Sequence, residues 1–173
     1  MRCAVEVAPV RAEPRDDAEQ VTQALRGEPL SVGERREGWA WVETSYGYPG
    51  WMREADLCGD EPLDVARTFL GTPYEWGGLT ARGLDCSGLV HLSYRLCGRL
   101  VPRDADQQDE AGSPVEEPAV GDLVTYGEPV DHIAFWAGGG AILHSTGRDG
   151  GIGVVEEPEP AELRARRRRY VRL

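Results

Sequence analysis

Four cysteines, at positions 3, 58, 86 and 97, and three histidines, at 91, 132 and 144, are the thiols and imidazoles of this 173-residue chain. Cys86 stands apart from the other thiols. It lies in Leu84-Asp85-Cys86-Ser87-Gly88-Leu89-Val90, at the predicted start of a helix. The partial positive charge of a helix N-terminus favours a thiolate, the reactive form of cysteine. The unpaired N–H groups of the first turn can also donate to a developing oxyanion. Gly88 and the Gly-rich loop before Cys86 are expected to let a substrate backbone approach the sulfur. Cys97 falls on the buried face of the same helix and reads as an apolar filler, as do Cys3 and Cys58. The cysteines form no C-x-x-C pair and the histidines complete no zinc pattern, so no structural metal is expected.

A thiol nucleophile needs a base. His91 follows Cys86 by five residues on one helix and therefore faces elsewhere. His132 opens the apolar run Ile133-Ala134-Phe135-Trp136-Ala137, and His144 ends Ala141-Ile142-Leu143. Joined by Gly138-Gly139-Gly140 as an antiparallel pair, these strands can bring the two imidazoles together. One would then be the base and the other its orienter. Trp76 sits in a Gly-rich loop with little core to bury it, which favours substrate contact. Trp51 and Trp136 read as core or interface, and the alternating Trp39 and Trp41 as one core and one surface residue.

The elements that must position these residues fall into two regions. Residues 1–58 carry short strand-like runs (4–7, 20–25, 30–32, 39–42 and 48–52) with Gly and Pro between them, the pattern of a small all-β barrel. Residues 59–63 read as a linker. From 64 to 173 the period changes. A short amphipathic helix from Leu63 to Leu70 stops at Gly71 and Pro73, and a second runs from Asp85 or Cys86 to about Cys97. A short helix is expected around Gln107. Strands return at 122–126, 132–137, 141–144 and 152–155 and at the C-terminus. Helices followed by antiparallel strands make an α+β domain.

Bulk properties exclude other classes. The net charge is −11 and no lysine is present, so the chain is a poor nucleic-acid binder. The run Arg166-Arg167-Arg168-Arg169 is read as leading into a terminal strand, Arg168 to Leu173, rather than as a basic tail. No stretch approaches the roughly 18 apolar residues of a membrane helix. The first residues show no apolar signal-peptide core, so the expected location is the cytoplasm, with reduced thiols.

Six motifs in order resemble the NlpC/P60 family of peptidoglycan cysteine peptidases over residues 64–173. They are Thr72-Pro73-Tyr74-Glu75-Trp76-Gly77-Gly78, Asp85-Cys86-Ser87-Gly88-Leu89-Val90, Pro102-Arg103-Asp104 with Gln107 or Gln108, Gly121-Asp122-Leu123, Asp131-His132-Ile133-Ala134-Phe135 and Ile142-Leu143-His144-Ser145. The resemblance implies a papain-like core with Cys86 as nucleophile, His132 as base and His144 as orienting third member. It places Tyr74 near the oxyanion, Trp76 in the substrate wall, and Asp85 and Ser87 against the substrate. Arg103 and Asp104 are either substrate contacts or a pair that holds the loop.

Residues 1–58 resemble the bacterial SH3 domain fused to one branch of that family, through Val21 to Glu28 and Gly47-Tyr48-Pro49-Gly50-Trp51. In that branch an acidic residue and a tyrosine of the SH3 domain hold the free amine of an N-terminal L-alanine. Tyr48 matches the tyrosine, and Glu19 is the expected acid, with Glu13 and Glu28 as competitors. Ala105 replaces a serine common in the branch. The resemblance implies hydrolysis, without a cofactor, of the γ-D-glutamyl-diamino acid bond in L-Ala-γ-D-Glu-diamino acid peptides during recycling. The alternatives are a secreted hydrolase of intact peptidoglycan and a catalytically dead peptide-binding module. The first would need a leader, and the second has no use for Cys86, His132 and His144.

Overall fold

Alternating side chains in the first sixty residues build a small antiparallel sheet. The strands are β1 (Arg2–Cys3), β2 (Val7–Arg11), β3 (Gln20–Leu25), β4 (Leu30–Arg36), β5 (Trp39–Thr44), β6 (Pro49–Arg53) and β7 (Leu57–Cys58). Five of them form a sheet in the order β3-β2-β6-β5-β4, and β1 pairs with β7. In β5, Ala40, Val42 and Thr44 turn inward while Trp41 and Glu43 face out, as a strand period of two requires. Val10, Ala24, Leu30, Ala40, Val42 and Met52 make the core. Glu37 and Gly38, both at positive φ, close the β4–β5 hairpin, where such a turn matches the twist of the strands. Trp39 is buried under the Arg53 guanidinium, 4.1 Å from the ring centre, and Trp41 meets Trp51 edge-on.

Two expectations for this region are corrected. The first strand was expected at 4–7, before Pro9, whereas β2 contains Pro9. Its missing N–H costs little there, because the ladder between β2 and β6 is limited to Arg11↔Trp51, two residues past Pro9. The third strand also extends to Arg36, four residues past the expected end, because Arg35 and Arg36 pair with Ala40 and Trp39.

The structure is a computed structural model that describes residues 1–148 and 152–173. It divides into two units, Met1–Asp60 and Glu61–Leu173. The second contains α1 (Pro62–Arg67), β8 (Leu79–Thr80), β9 (Gly83–Leu84), α2 (Cys86–Leu96), α3 (Ala105–Ala111), β10 (Ser113–Val115), β11 (Leu123–Tyr126), β12 (His132–Gly138), β13 (Ala141–Thr146), β14 (Gly153–Pro158), α4 (Ala161–Ala165) and β15 (Arg167–Arg172). Helix α1 begins inside the expected linker, with Pro62 in its first turn, where proline has no hydrogen bond to lose. It ends at Arg67 instead of reaching Leu70.

The central sheet has the order β10-β15-β11-β12-β13-β14. Helix α2 packs on β12 and β13, burying Leu89, Val90 and Leu92 and stacking Tyr94 on Phe135 at 6.2 Å. This packing holds α2 against the strands that carry His132 and His144. Strand β13 runs two residues past His144 and β14 continues to Pro158, because the two pair from Thr146↔Gly153 to Ala141↔Pro158. Strand β10 and helix α4, each five residues or fewer, are too short to show a period.

The arginine run lies mostly in β15 and is spent on ion pairs. Arg166 meets Asp131, Arg167 meets Glu159, Arg168 meets Glu128 and Asp109, and Arg169 meets Asp109.

Candidate active site

Cys86 is the first residue of α2 because Asp85 caps the helix. The Asp85 carboxylate accepts the Gly88 N–H at 2.6 Å and the Gly77 N–H at 2.8 Å. It also pairs with Arg103 at 2.8 Å. One side chain thus fixes the helix start and ties the preceding loop to it. The tie has a steric counterpart at Gly88. A Cβ there would stand 2.3 Å from the Gly78 carbonyl oxygen and 2.7 Å from Asp85 Oδ1. Gly88 therefore serves the packing of the loop on the helix and not, as expected, the approach of a ligand.

The setting of the sulfur also differs from expectation. Backbone N–H groups of Ile133, Ser87 and Cys86 itself favour the thiolate, as a helix start should. Burial is the larger effect, and with the negative Asp85 nearby it pushes the thiol up to about 11. Loss of hydration outweighs the helix dipole because the dipole supplies only fractional charge. The Ile133 contact brings β12, at the residue next to His132, against the sulfur.

His132, His144 and an acid that the sequence did not single out form a chain of hydrogen bonds. His132 Nε2 lies 2.8 Å from His144 Nδ1, and His144 Nε2 lies 3.0 Å from Glu157 Oε1. Arg148 reaches both Glu157 oxygens, at 2.9 and 3.0 Å. The arrangement follows from register. Phe135 pairs with Leu143, so Ala134 faces His144 and His132 lies diagonal to it on the same side. His144 pairs with Val155, which puts Glu157 diagonal on the next strand. Burial pushes the His132 imidazole down to about 3, helped by His144 and Arg166, although the residue as a whole is only partly buried. Burial likewise lowers His144, against the pull of Glu157. Glu157 is held below the usual carboxylate range: Arg148 and His144 together outweigh the largest single effect, its loss of hydration. At neutral pH the resting site is a neutral thiol and two neutral imidazoles backed by a carboxylate. Such a site can activate its sulfur by proton transfer to an imidazole during attack.

Two cavities flank Val130 and Asp131, in the turn that leads into β12. One, of about 520 Å³, is lined by Cys86, Asp85, Ser87, Arg103, Asp104 and Ala105 among others. The other, of about 640 Å³, is lined by His132, Thr146, Arg148, Glu162, Leu163 and Arg166 among others. Trp76 borders both and is 85% exposed, as its place in a Gly-rich loop led us to expect. Tyr74 lies near Cys86 and Asp85, whose charges add to burial in raising its phenol.

Other anticipated residues have prior commitments. Asp85 and Ser87 line the first cavity, yet both are buried, and the Ser87 hydroxyl accepts from Arg103 at 2.9 Å. Arg103 also donates to the Gly78 carbonyl, so it joins loop to helix. Asp104 is the exposed N-cap residue of α3, without a side-chain capping bond. His91 is turned away, its Nδ1 2.8 Å from the Val101 carbonyl oxygen. In the first unit Tyr48 is half exposed beside Tyr46, and Glu19 is exposed at the head of β3. Among the described residues no cluster of three or more His, Cys, Asp or Glu is placed to hold a metal ion.

Residues 71–165 match the model of the NlpC/P60 family, and residues 10–57 match the bacterial dipeptidyl-peptidase Sh3 domain. The chain belongs to the NlpC/P60 family. A relative in this family, the gamma-D-glutamyl-L-lysine dipeptidyl-peptidase of Bacillus subtilis, is 30% identical over 126 residues, or 64% of this chain and 42% of that protein. A crystal structure of an NlpC/P60 protein from Bacillus cereus has the same fold across 99% of this chain and 62% of its own, at 23% identity and a TM-score of 0.64. The peptidoglycan hydrolase RipB from Mycobacterium tuberculosis matches over 66% of this chain and 63% of its own, at 29% identity and a TM-score of 0.58. The chain spans under half the length of the curated relatives it matches first. The helix start and the glycine hairpin point to Cys86, His132 and His144, and the NlpC/P60 motifs assign their roles. Glu157 and Arg148 lie outside those motifs, and the sole hint of Glu157 was its alternation with Val155 along a strand expected to end there.

Proposed function

We propose that the chain is a cysteine peptidase acting on peptides of the bacterial cell wall. The observation that carries this is the placement of Cys86 at the start of α2, against β12, next to the His132–His144 pair. Attack of the Cys86 sulfur on a substrate carbonyl passes the thiol proton to His132, with backbone N–H groups at the helix start and the Tyr74 hydroxyl available to the oxyanion. His132 then returns the proton to the leaving amine, and water releases the thioester. Substrate lies along the two cavities, with Trp76 as their shared wall.

In the finer reading the bond cut joins γ-D-glutamate to a diamino acid in peptides that begin with a free L-alanine. The B. subtilis relative's name and the matching Sh3 domain support this. Tyr48 and an acid, Glu19 in the first instance, would hold the alanine ammonium, since a desolvated cation needs an anionic partner. The setting is recycling of wall peptides in the cytoplasm. Turnover of free L-Ala-γ-D-Glu-diamino acid tripeptide, compared with its N-acetylated form, tests it. Strong preference for the free amine is expected, and equal turnover would overturn the free-amine reading. Release of muropeptides from intact sacculi would instead favour the reading supported by the RipB likeness, a hydrolase of the wall itself. Absence of turnover with either substrate would indicate a peptide-binding module.

A further inference from the structure

Three side chains lie diagonally across three neighbouring strands: His132 on β12, His144 on β13 and Glu157 on β14. Their hydrogen bonds have a fixed polarity. A carboxylate only accepts, and Arg148, 2.9 and 3.0 Å from its two oxygens, keeps Glu157 ionised. The 3.0 Å contact therefore requires a proton on His144 Nε2. A neutral His144 then has a bare Nδ1. The 2.8 Å contact to that atom requires a proton on His132 Nε2. A neutral His132 is left with a bare Nδ1, the ring nitrogen that His144 does not occupy.

We infer that Glu157, clamped by Arg148, is a positioning residue that sets the tautomers of both histidines and so leaves His132 Nδ1 as the proton acceptor for Cys86. Without an acceptor at Glu157, His144 can place its proton on Nδ1 and donate to His132. His132 then carries its own proton on Nδ1, and the base is lost although each ring keeps its place. Glu157 touches neither the sulfur nor the reacting carbonyl. Its effect passes through two imidazoles, as the partners of a ligating or catalytic histidine fix its tautomer elsewhere.

The kinetic part of the test rests on the proposed peptidase activity, but the decisive part needs no substrate. With three histidines in the chain, nitrogen-15 labelling of histidine lets each ring be assigned by NMR at pH 7.5. The wild-type protein is expected to show His132 and His144 both protonated at Nε2. A proton on Nδ1 of either ring would overturn the inference. Glu157→Ala is expected to show mixed tautomers and a kcat lower by about 10- to 100-fold, with KM within about threefold. Glu157→Gln keeps a carbonyl oxygen that accepts from His144, and is expected to recover part of both. A folded Glu157→Ala with wild-type tautomers and kcat would overturn the inference. If Glu157→Ala does not fold, the wild-type and Glu157→Gln spectra decide. A wild-type protein with the expected tautomers but no turnover would count against the peptidase reading and leave the tautomer assignment standing.

Discussion

Two buried polar networks share the central sheet, and they are built on opposite rules. Around Glu159, whose side chain is fully buried, Arg164, Arg167 and the Tyr126 hydroxyl supply donors to both oxygens. Asp109 nearby takes Arg168, Arg169 and Thr125. Every charge in these groups meets its opposite, and both carboxylates are held below their usual range by those donors despite burial. The chain from Glu157 to His132 has one ionised end, clamped by Arg148, and two neutral rings. In the inferred tautomers it ends in a single bare lone pair on His132 Nδ1, the acceptor assigned to the thiol. Saturated networks hold a fold together, whereas a network that ends in a bare acceptor can move a proton.

Paired substitutions separate the two most sharply. Cys86→Ala is expected to lower kcat by about 10⁴-fold or more while changing unfolding free energy by less than about 1 kcal/mol. Glu159→Ala strands two arginines and a phenol, and is expected to destabilise by about 3 kcal/mol or more with kcat little changed once the protein is folded. Urea melts beside steady-state kinetics check both. Loss of activity in folded Glu159→Ala would erase the distinction.

The networks also titrate apart. His132 and His144 have lowered values in the folded state, so the unfolded chain binds more protons below about pH 6.5. Stability is complete above that pH and falls as pH drops toward the folded values, by up to about 1.4 kcal/mol per pH unit for each ring. The carboxylates of the other network have lowered values as well, but their stability is lost only as pH falls below about 4.5, through their unfolded range. Urea melts between pH 7 and 5 are therefore expected to show a loss that His132→Asn reduces and Glu159→Gln does not.

Cys86 gives a further contrast with an exposed thiol. Its raised value makes thiolate scarce at neutral pH, so alkylation of the free protein by iodoacetamide is expected to be slow at pH 7 and to climb past pH 9. Rapid labelling at pH 6 would instead mean a standing thiolate–imidazolium pair. The smallest effect is expected at Trp76. Because it is 85% exposed, Trp76→Ala should raise KM by about tenfold, leaving kcat and melting temperature nearly unchanged, if the ring serves substrate and not the fold.

Much of the site was legible in local sequence. Asp85 or Cys86 reads as the start of a helix, and Gly138-Gly139-Gly140 reads as a hairpin that joins the strands of His132 and His144. The strand continuing past Pro9 and the helix starting at Pro62 were harder to read, because proline marks a break unless the missing donor faces no partner. Arg168 and Arg169 read correctly as strand, although β15 begins one residue earlier at Arg167 and Arg166 caps α4, and nothing in the spacing of the four arginines names Asp109, Glu128, Asp131 or Glu159 as partners.

What the sequence by itself determined was the chemistry on offer: one thiol at a helix start and two imidazoles on a hairpin. Local capping, turn and alternation rules act over a few residues, so they survive without a fold. The tertiary structure alone decided the ionisation and polarity of the site. Burial of Cys86 overrode its helix dipole, since dehydration depends on what packs above the residue. Glu157 entered the relay because β14 pairs with β13 in a register that puts it diagonal to His144, thirteen residues away in the chain. Side chains brought together by strand pairing set which nitrogen carries a proton, and no spacing in one dimension records that.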